Sequence, residues 1–205
     1  GDIIISVGNS RMYGSAGGDI SATAGNSNFL TGGAVTLMSG TSFGSSSGAV
    51  LVRTPNAGTS GVSGKLSFTT GTSSSGSSGE IRLATGHAYS GGNSGNVLLA
   101  TGNAKFGANS GNILLVTGLA TDGKGGDIII SAGKGNKDSR LWLPYRSGGG
   151  DVLVTAGAST SSTGGRVRLS TGGGEATSSG DLIVTTANAG NTGVSGMLSF
   201  SSGTT

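Results

Sequence analysis

Gly111–Gly125 reads GNILLVTGLATDGKG: a glycine, an alternating aliphatic arm, a second glycine at Gly118, and a return through small residues to another glycine. The chain repeats this phrase along its length. With the opening glycine as position 1, units begin at Gly1, Gly18, Gly33, Gly48, Gly64, Gly79, Gly95, Gly111, Gly126, Gly150, Gly165, Gly180 and Gly196. The steps between them run 17, 15, 15, 16, 15, 16, 16, 15, 24, 15, 15 and 16. A fixed short period is read before any other feature, because it signals an array in which each unit covers its neighbours.

Composition alone points elsewhere. With 44 Gly among 205 residues, 10% charged and 4% aromatic residues, the chain has the profile of a flexible linker rather than a globular core. Periodicity overrides that reading, since position 3 is aliphatic in all thirteen units, from Ile3 to Leu198. Positions 3 and 5 alternate with 2 and 4, which is the period of a strand with one face turned inward. Position 7 extends that face with small or β-branched residues, including Thr54, Thr70, Thr85, Thr101 and Thr117 in successive units, expected to hydrogen-bond as a ladder.

Position 1 is always Gly, and position 8 is Gly in eleven of thirteen units, the exceptions being Pro55 and Ala187. Such placement is expected at corners, where the backbone takes positive φ or lies close to another segment. Units this short leave no room for a βα repeat. The expectation is therefore an all-β chain: a single continuous, flattened parallel β-solenoid over residues 1–205, with about thirteen coils stacked roughly 4.8 Å apart. Coil nine carries an insertion over residues 134–146, expected to leave as a loop.

The units differ from one another, and their differences recur. GDIIISVG at Gly1 returns as GDIIISAG at Gly126, and NAGTSGVSGKLSF at Asn56 returns as NAGNTGVSGMLSF at Asn188, eight units on in both cases. In a solenoid this eight-coil super-repeat would present one surface every ~38 Å. No polar cap is seen at either end, so the expected partners are copies of the chain itself or adjacent repeats of a longer chain.

Candidate contact residues follow from the arms and the insertion. Leu98, Leu114, Val116 and Ile129 fall on outward positions and make an apolar stripe of the kind that marks an interface. Arg140, Trp142, Tyr145 and Arg146 in the insertion combine the residue types that anchor interfaces; a loop folded on its own coil, or a sugar platform, are the other readings.

Chemistry is sparse. Asp2 with Asp19, and Asp127 with Asp151, share position 2 of neighbouring units, where Gly-Asp is more often turn chemistry than a Ca²⁺ site. His87 is the single histidine and there is no Cys, so neither a histidine-rich nor a thiolate metal site is expected. Catalytic spacings are missing, so no enzyme activity and no cofactor are expected. A net charge of +3 with few aromatics argues against nucleic acid, and no apolar run reaches the ~18 residues of a membrane span. The chain has no Asn-x-Ser/Thr sequon, which leaves O-linkage to Ser and Thr as the route for any glycan.

The phrase SG-x-Φ-x-Φ-x-TG, in which Φ is aliphatic, is clearest in SGNVLLATG at Ser94 and SGNILLVTG at Ser110. It resembles the Gly/Ser/Thr-rich tandem repeats of large secreted or surface proteins of algae and related protists, and more loosely bacterial adhesin passengers. That resemblance implies an extracellular or cell-surface filament, flagellar hair or adhesive stalk. The rival class is a monomeric surface-binding rod, either an adhesin that takes carbohydrate or an ice-binding protein.

Overall fold

A computed structural model describes residues 1–10, 16–89, 91–135 and 148–204. Among them there is neither helix nor strand. The described chain therefore forms no sheet, and the expected all-β parallel solenoid is corrected. The intended core residues are likewise uncovered, since no described side chain is buried. The accessible surface is 21195 Å², against about 8,500 Å² for a globular protein of this mass and about 28,000 Å² for an unfolded one.

The chain divides into two compact units, Gly1–Leu98 and Leu99–Thr205. Both are built from the same local element, an aliphatic arm followed by a loop that closes on itself. Closure occurs where the position-1 glycine of one repeat returns to positions 7 and 8 of the repeat before. The Gly33 amide donates to the Gly25 carbonyl at 2.9 Å, and Gly48 to Gly40, Gly150 to Gly133, Gly165 to Gly157 and Gly180 to Gly172 bond likewise at 2.8 to 3.0 Å. We call this closure the neck.

The neck explains one set of glycines and not the other. A Cβ placed on any of the twelve position-1 glycines from Gly18 to Gly196 would lie 3.2 to 3.8 Å from a side-chain carbon of the preceding position 7. A Cβ on any of the eleven position-8 glycines would meet nothing within 4 Å. Neither set takes positive φ, which is found among the described glycines only at Gly91 and Gly107. The expected pair of corners is thus one tight approach and one open hinge.

Position 7 sets the width of the neck. Where it is Ala24, Ser39, Ala132 or Ala156, the backbone bond forms. Where it is Thr54, Thr70, Thr85, Thr101, Thr117 or Thr186, the threonine Cβ or Cγ2 lies 3.2 to 3.6 Å from the would-be Cβ, and no such bond is made. In these necks the nearest contacts of the would-be Cβ are threonine carbons rather than the backbone of position 8, and we call them propped. The expected threonine ladder is corrected accordingly, because each of these residues faces the next repeat's glycine rather than another threonine. Thr171 is the exception, keeping the bond at 3.0 Å.

The loops come in two kinds, and repeat length selects between them. The short repeats are those opening at Gly18, Gly33, Gly64, Gly111, Gly150 and Gly165; those opening at Gly48, Gly79, Gly95 and Gly180 are longer by one residue. In four of the short repeats, position 10 is a serine whose Oγ accepts the amide of position 13. The pairs are Ser27 with Leu30, Ser42 with Ser45, Ser73 with Gly76 and Ser159 with Ser162, at 3.0 to 3.1 Å. This is the side-chain-to-backbone bond that also caps helices, used here to hold a bend. In the long repeats, position 10 is Ala57, Ala88, Ala104 or Ala189. In two of these loops a backbone bond closes a turn instead, Ala108 to the Lys105 carbonyl at 3.4 Å and Gly193 to the Gly190 carbonyl at 3.3 Å. One added residue gives the backbone room to satisfy itself.

Phe106 and Gly107 occupy the centre of the first of those turns with φ of 59° and 80°. Two successive positive φ values are the signature of a primed turn, which glycine and asparagine fill without strain and phenylalanine does not. Gly174, at position 10 of the repeat opening at Gly165, is the tightest glycine of the described chain, its would-be Cβ lying 2.7 Å from the Thr177 carbonyl oxygen. Serine is excluded there, so that repeat lacks the cap its length would otherwise allow.

Candidate assembly surface

The arms carry the functional candidates. Along the repeat opening at Gly111, Ile113 is 48% exposed, Leu114 80% and Leu115 64%. The same rise and fall is found at Val97-Leu98-Leu99, Ile128-Ile129-Ile130 and Val152-Leu153-Val154. In these four arms side-chain exposure alternates with a two-residue period, whereas along Ile3, Ile4 and Ile5 it falls steadily, and no described arm pairs into a sheet. Position 4 stands freest in these arms.

Leu98, Leu114, Val116 and Ile129 are all exposed, on three consecutive repeats. The residues expected to back them are exposed as well, so the apolar surface is wider than the single stripe read from sequence. Leu51, Leu153 and Ile183 extend position 4 to other repeats. Arg140, Trp142, Tyr145 and Arg146 lie outside the described residues. What is described beside that insertion is the neck of its repeat, where the Gly150 amide donates to the Gly133 carbonyl at 2.9 Å.

Polar groups are dispersed. Lys124 Nζ bonds Asp127 Oδ2 at 2.9 Å, an exposed pair of the kind that contributes little in water. This gives Asp127 a partner three residues away in the chain. Among the described residues no three His, Cys, Asp or Glu side chains are grouped as a metal would require. The His87 ring lies beside Tyr89 with centroids 6.1 Å apart and planes tilted by 52°. Two open, polar depressions lie at long repeats, one at Arg53, Thr54, Pro55 and Asn56 and one between Asn103 and Ser110. No described helix is long and apolar enough to cross a membrane.

Two features escaped sequence reasoning. The serine cap was signalled by serine at position 10 in most short repeats and alanine in every long one, a correlation visible only once length and residue are compared. The asymmetry between position-1 and position-8 glycines had no signal, because both are near-invariant through the repeats. No family model, characterised protein or solved structure matches the chain.

Proposed function

We propose that this is a structural protein that builds an extracellular or cell-surface filament by association of its repeated arms with those of other copies. The observation that carries this reading is the uncovered aliphatic surface, repeated at the same positions from one repeat to the next. Contiguous apolar patches beyond a few hundred Å² mark association sites on soluble proteins, and this chain exposes more than twice the surface of a globular protein of its mass. Water disfavours that state, and copies of the same arm are the partner each chain brings with it.

The remaining chemistry supports a passive role. Twelve cationic and nine acidic residues spread along the chain give no strong field to recruit a charged ligand. The loops are rich in Ser and Thr, which suits O-linked glycan away from the arms. Repeats of this composition resemble those of secreted fibres, and that likeness supports the location.

The test is sedimentation velocity with negative-stain electron microscopy over a concentration series, on the natural chain and on a Leu114→Asp/Ile129→Asp variant. The natural chain is expected to form filaments above a threshold concentration. Covering one aliphatic side chain is worth about 1.5–3 kcal/mol, so the variant should raise that threshold by at least about tenfold. A natural chain that stays monomeric throughout would refute the reading and favour a monomeric rod binding sugar or ice.

A further inference from the structure

The super-repeat is expressed in local geometry as well as in sequence. Residues 18–68 and 150–200 are related by a constant offset of 132 with no insertion, and 27 of these 51 positions are identical. Two of the three loop pairs correspond in kind; in the other, Ser42 caps a bend and its counterpart Gly174 does not. Ser27 and Ser159 both cap a bend, bonding Leu30 and Ser162 at 3.0 Å. Two-residue turns fall at 59–60 and 191–192. A Cβ on Gly61 would lie 3.8 Å from Ala57 Cβ, and one on Gly193 would lie 3.6 Å from Ala189 Cβ.

The necks correspond too. Those at Gly33 and Gly165 are hydrogen-bonded, as are those at Gly48 and Gly180, while those at Gly64 and Gly196 are propped by Thr54 and Thr186. Thr171, the one threonine that keeps a bonded neck, is the counterpart of Ser39, whose neck is bonded. In this pair the eight-unit correspondence outweighs the position-7 rule.

Resting on the self-association proposed above, we infer that the chain carries one self-association surface twice, on 18–68 and on 150–200, and that neighbouring copies meet with an eight-unit stagger. Arms 18–68 of one copy then lie against arms 150–200 of the next. The partner is a second copy for three reasons. The order of bonded and propped necks, and of capped and turned loops, is a pattern that another copy necessarily reproduces. The low, mixed charge gives no field to select a different partner. The 21195 Å² exposed exceeds the ~8,500 Å² of a globular protein of this mass by several times the ~1,600 Å² that a stable pair buries.

Stagger has a consequence that level pairing lacks. Two copies aligned level satisfy each other and stop, as a closed two-fold pair does. A stagger leaves one surface free at each end, so the contact is head-to-tail and propagates as an open filament.

The chain contains no Cys, so introduced thiols report unambiguously. Ser60 and Thr192 are equivalent loop-tip positions, both exposed. Full-length Ser60→Cys and Thr192→Cys chains, mixed before assembly and oxidised, should give the 60–192′ disulfide in at least about tenfold excess over a 60–105′ disulfide from a matched mixture with Lys105→Cys. The Ser60→Cys/Thr192→Cys chain should give a ladder of covalent oligomers. Homodisulfides 60–60′ and 192–192′ dominating over 60–192′ in the mixed chains would establish level pairing and overturn the stagger, and equal yields of 60–192′ and 60–105′ would overturn it as well. Either result in the presence of filaments overturns this inference alone; monomers at every concentration overturn the proposed function with it.

Discussion

Ala substituted at the two glycines of one neck should have opposite effects, and the neck between Gly157 and Gly165 offers the cleanest pair. The Gly165 amide donates to the Gly157 carbonyl at 2.8 Å. A Cβ on Gly165 would sit 3.3 Å from the Gly157 nitrogen, 3.4 Å from its carbonyl oxygen and 3.5 Å from Ala156 Cβ. Two of those three atoms are backbone, so relief requires the neck to open by a few tenths of an ångström, stretching the bond from 2.8 Å towards the usual ~3.2 Å limit. A hydrogen bond of this kind contributes about 1 kcal/mol net, and its loss corresponds to roughly fivefold weaker protection of the residue-165 amide. Gly157 meets nothing within 4 Å and does not take positive φ. Ala there removes freedom from the unfolded chain, worth about 0.4–1 kcal/mol, and should strengthen the same protection about two- to fivefold.

The assay is hydrogen exchange by NMR on the dilute chain, following one amide through Gly157→Ala and Gly165→Ala. The donor survives both substitutions, so any change reads the neck rather than loss of the reporting group. Equal loss in both variants would mean that the two glycines are equivalent corners, and Gly157→Ala as the more damaging change would invert the geometry. Either outcome refutes the neck.

The loops give two further tests. Ser73→Ala removes the acceptor for the Gly76 amide, bonded at 3.1 Å, and should cost about 0.5–1 kcal/mol of local closure, as loss of a capping serine does; faster exchange of the residue-76 amide checks it, with Ala57→Ser expected to have no effect on the residue-60 amide. Phe106→Asn places a residue that tolerates positive φ where phenylalanine now holds 59°, and should slow exchange of the Ala108 amide by relieving about 1 kcal/mol of backbone strain.

The sequence made the repeat legible, but not the structure the repeat adopts. Alternation in GNILLVTG states which side chains share a face, and the exposure of Ile113, Leu114 and Leu115 keeps that order. It does not state what the face meets. Thirteen near-equivalent arms offer many registers of similar merit, and register is weakly specified where neither face is buried and glycine is frequent. The closures that form are local, each between one repeat and the next. Gly25 and Gly33 are near neighbours in the chain, and closing so short a loop costs less entropy than bringing together arms further apart. The loop-nine candidates Arg140, Trp142, Tyr145 and Arg146 rested on residue type alone. For Leu98, Leu114, Val116 and Ile129 the period marks alternate positions along the arm, while the exposure of their expected backing residues was not legible.

Local closure and the proposed association support each other. A loop of about ten residues closes in 10–100 ns, far faster than two chains meet, so the necks are set before any contact between copies. Each neck fixes where an arm begins and removes part of the freedom that assembly would otherwise have to quench, which is the general advantage of preorganisation. The propped necks at Thr54, Thr70, Thr85, Thr101 and Thr117 form one continuous block of repeats, whereas bonded necks lie on either side of it at Gly33, Gly48, Gly150, Gly165 and Gly180. Those bonded necks belong to the duplicated segments or directly precede one. Each segment inferred to meet another copy thus holds two necks closed by backbone hydrogen bonds and one, at Gly64 or Gly196, closed by methyl contact, whereas the necks between the segments at Gly79, Gly95, Gly111 and Gly126 are closed by methyl contact alone.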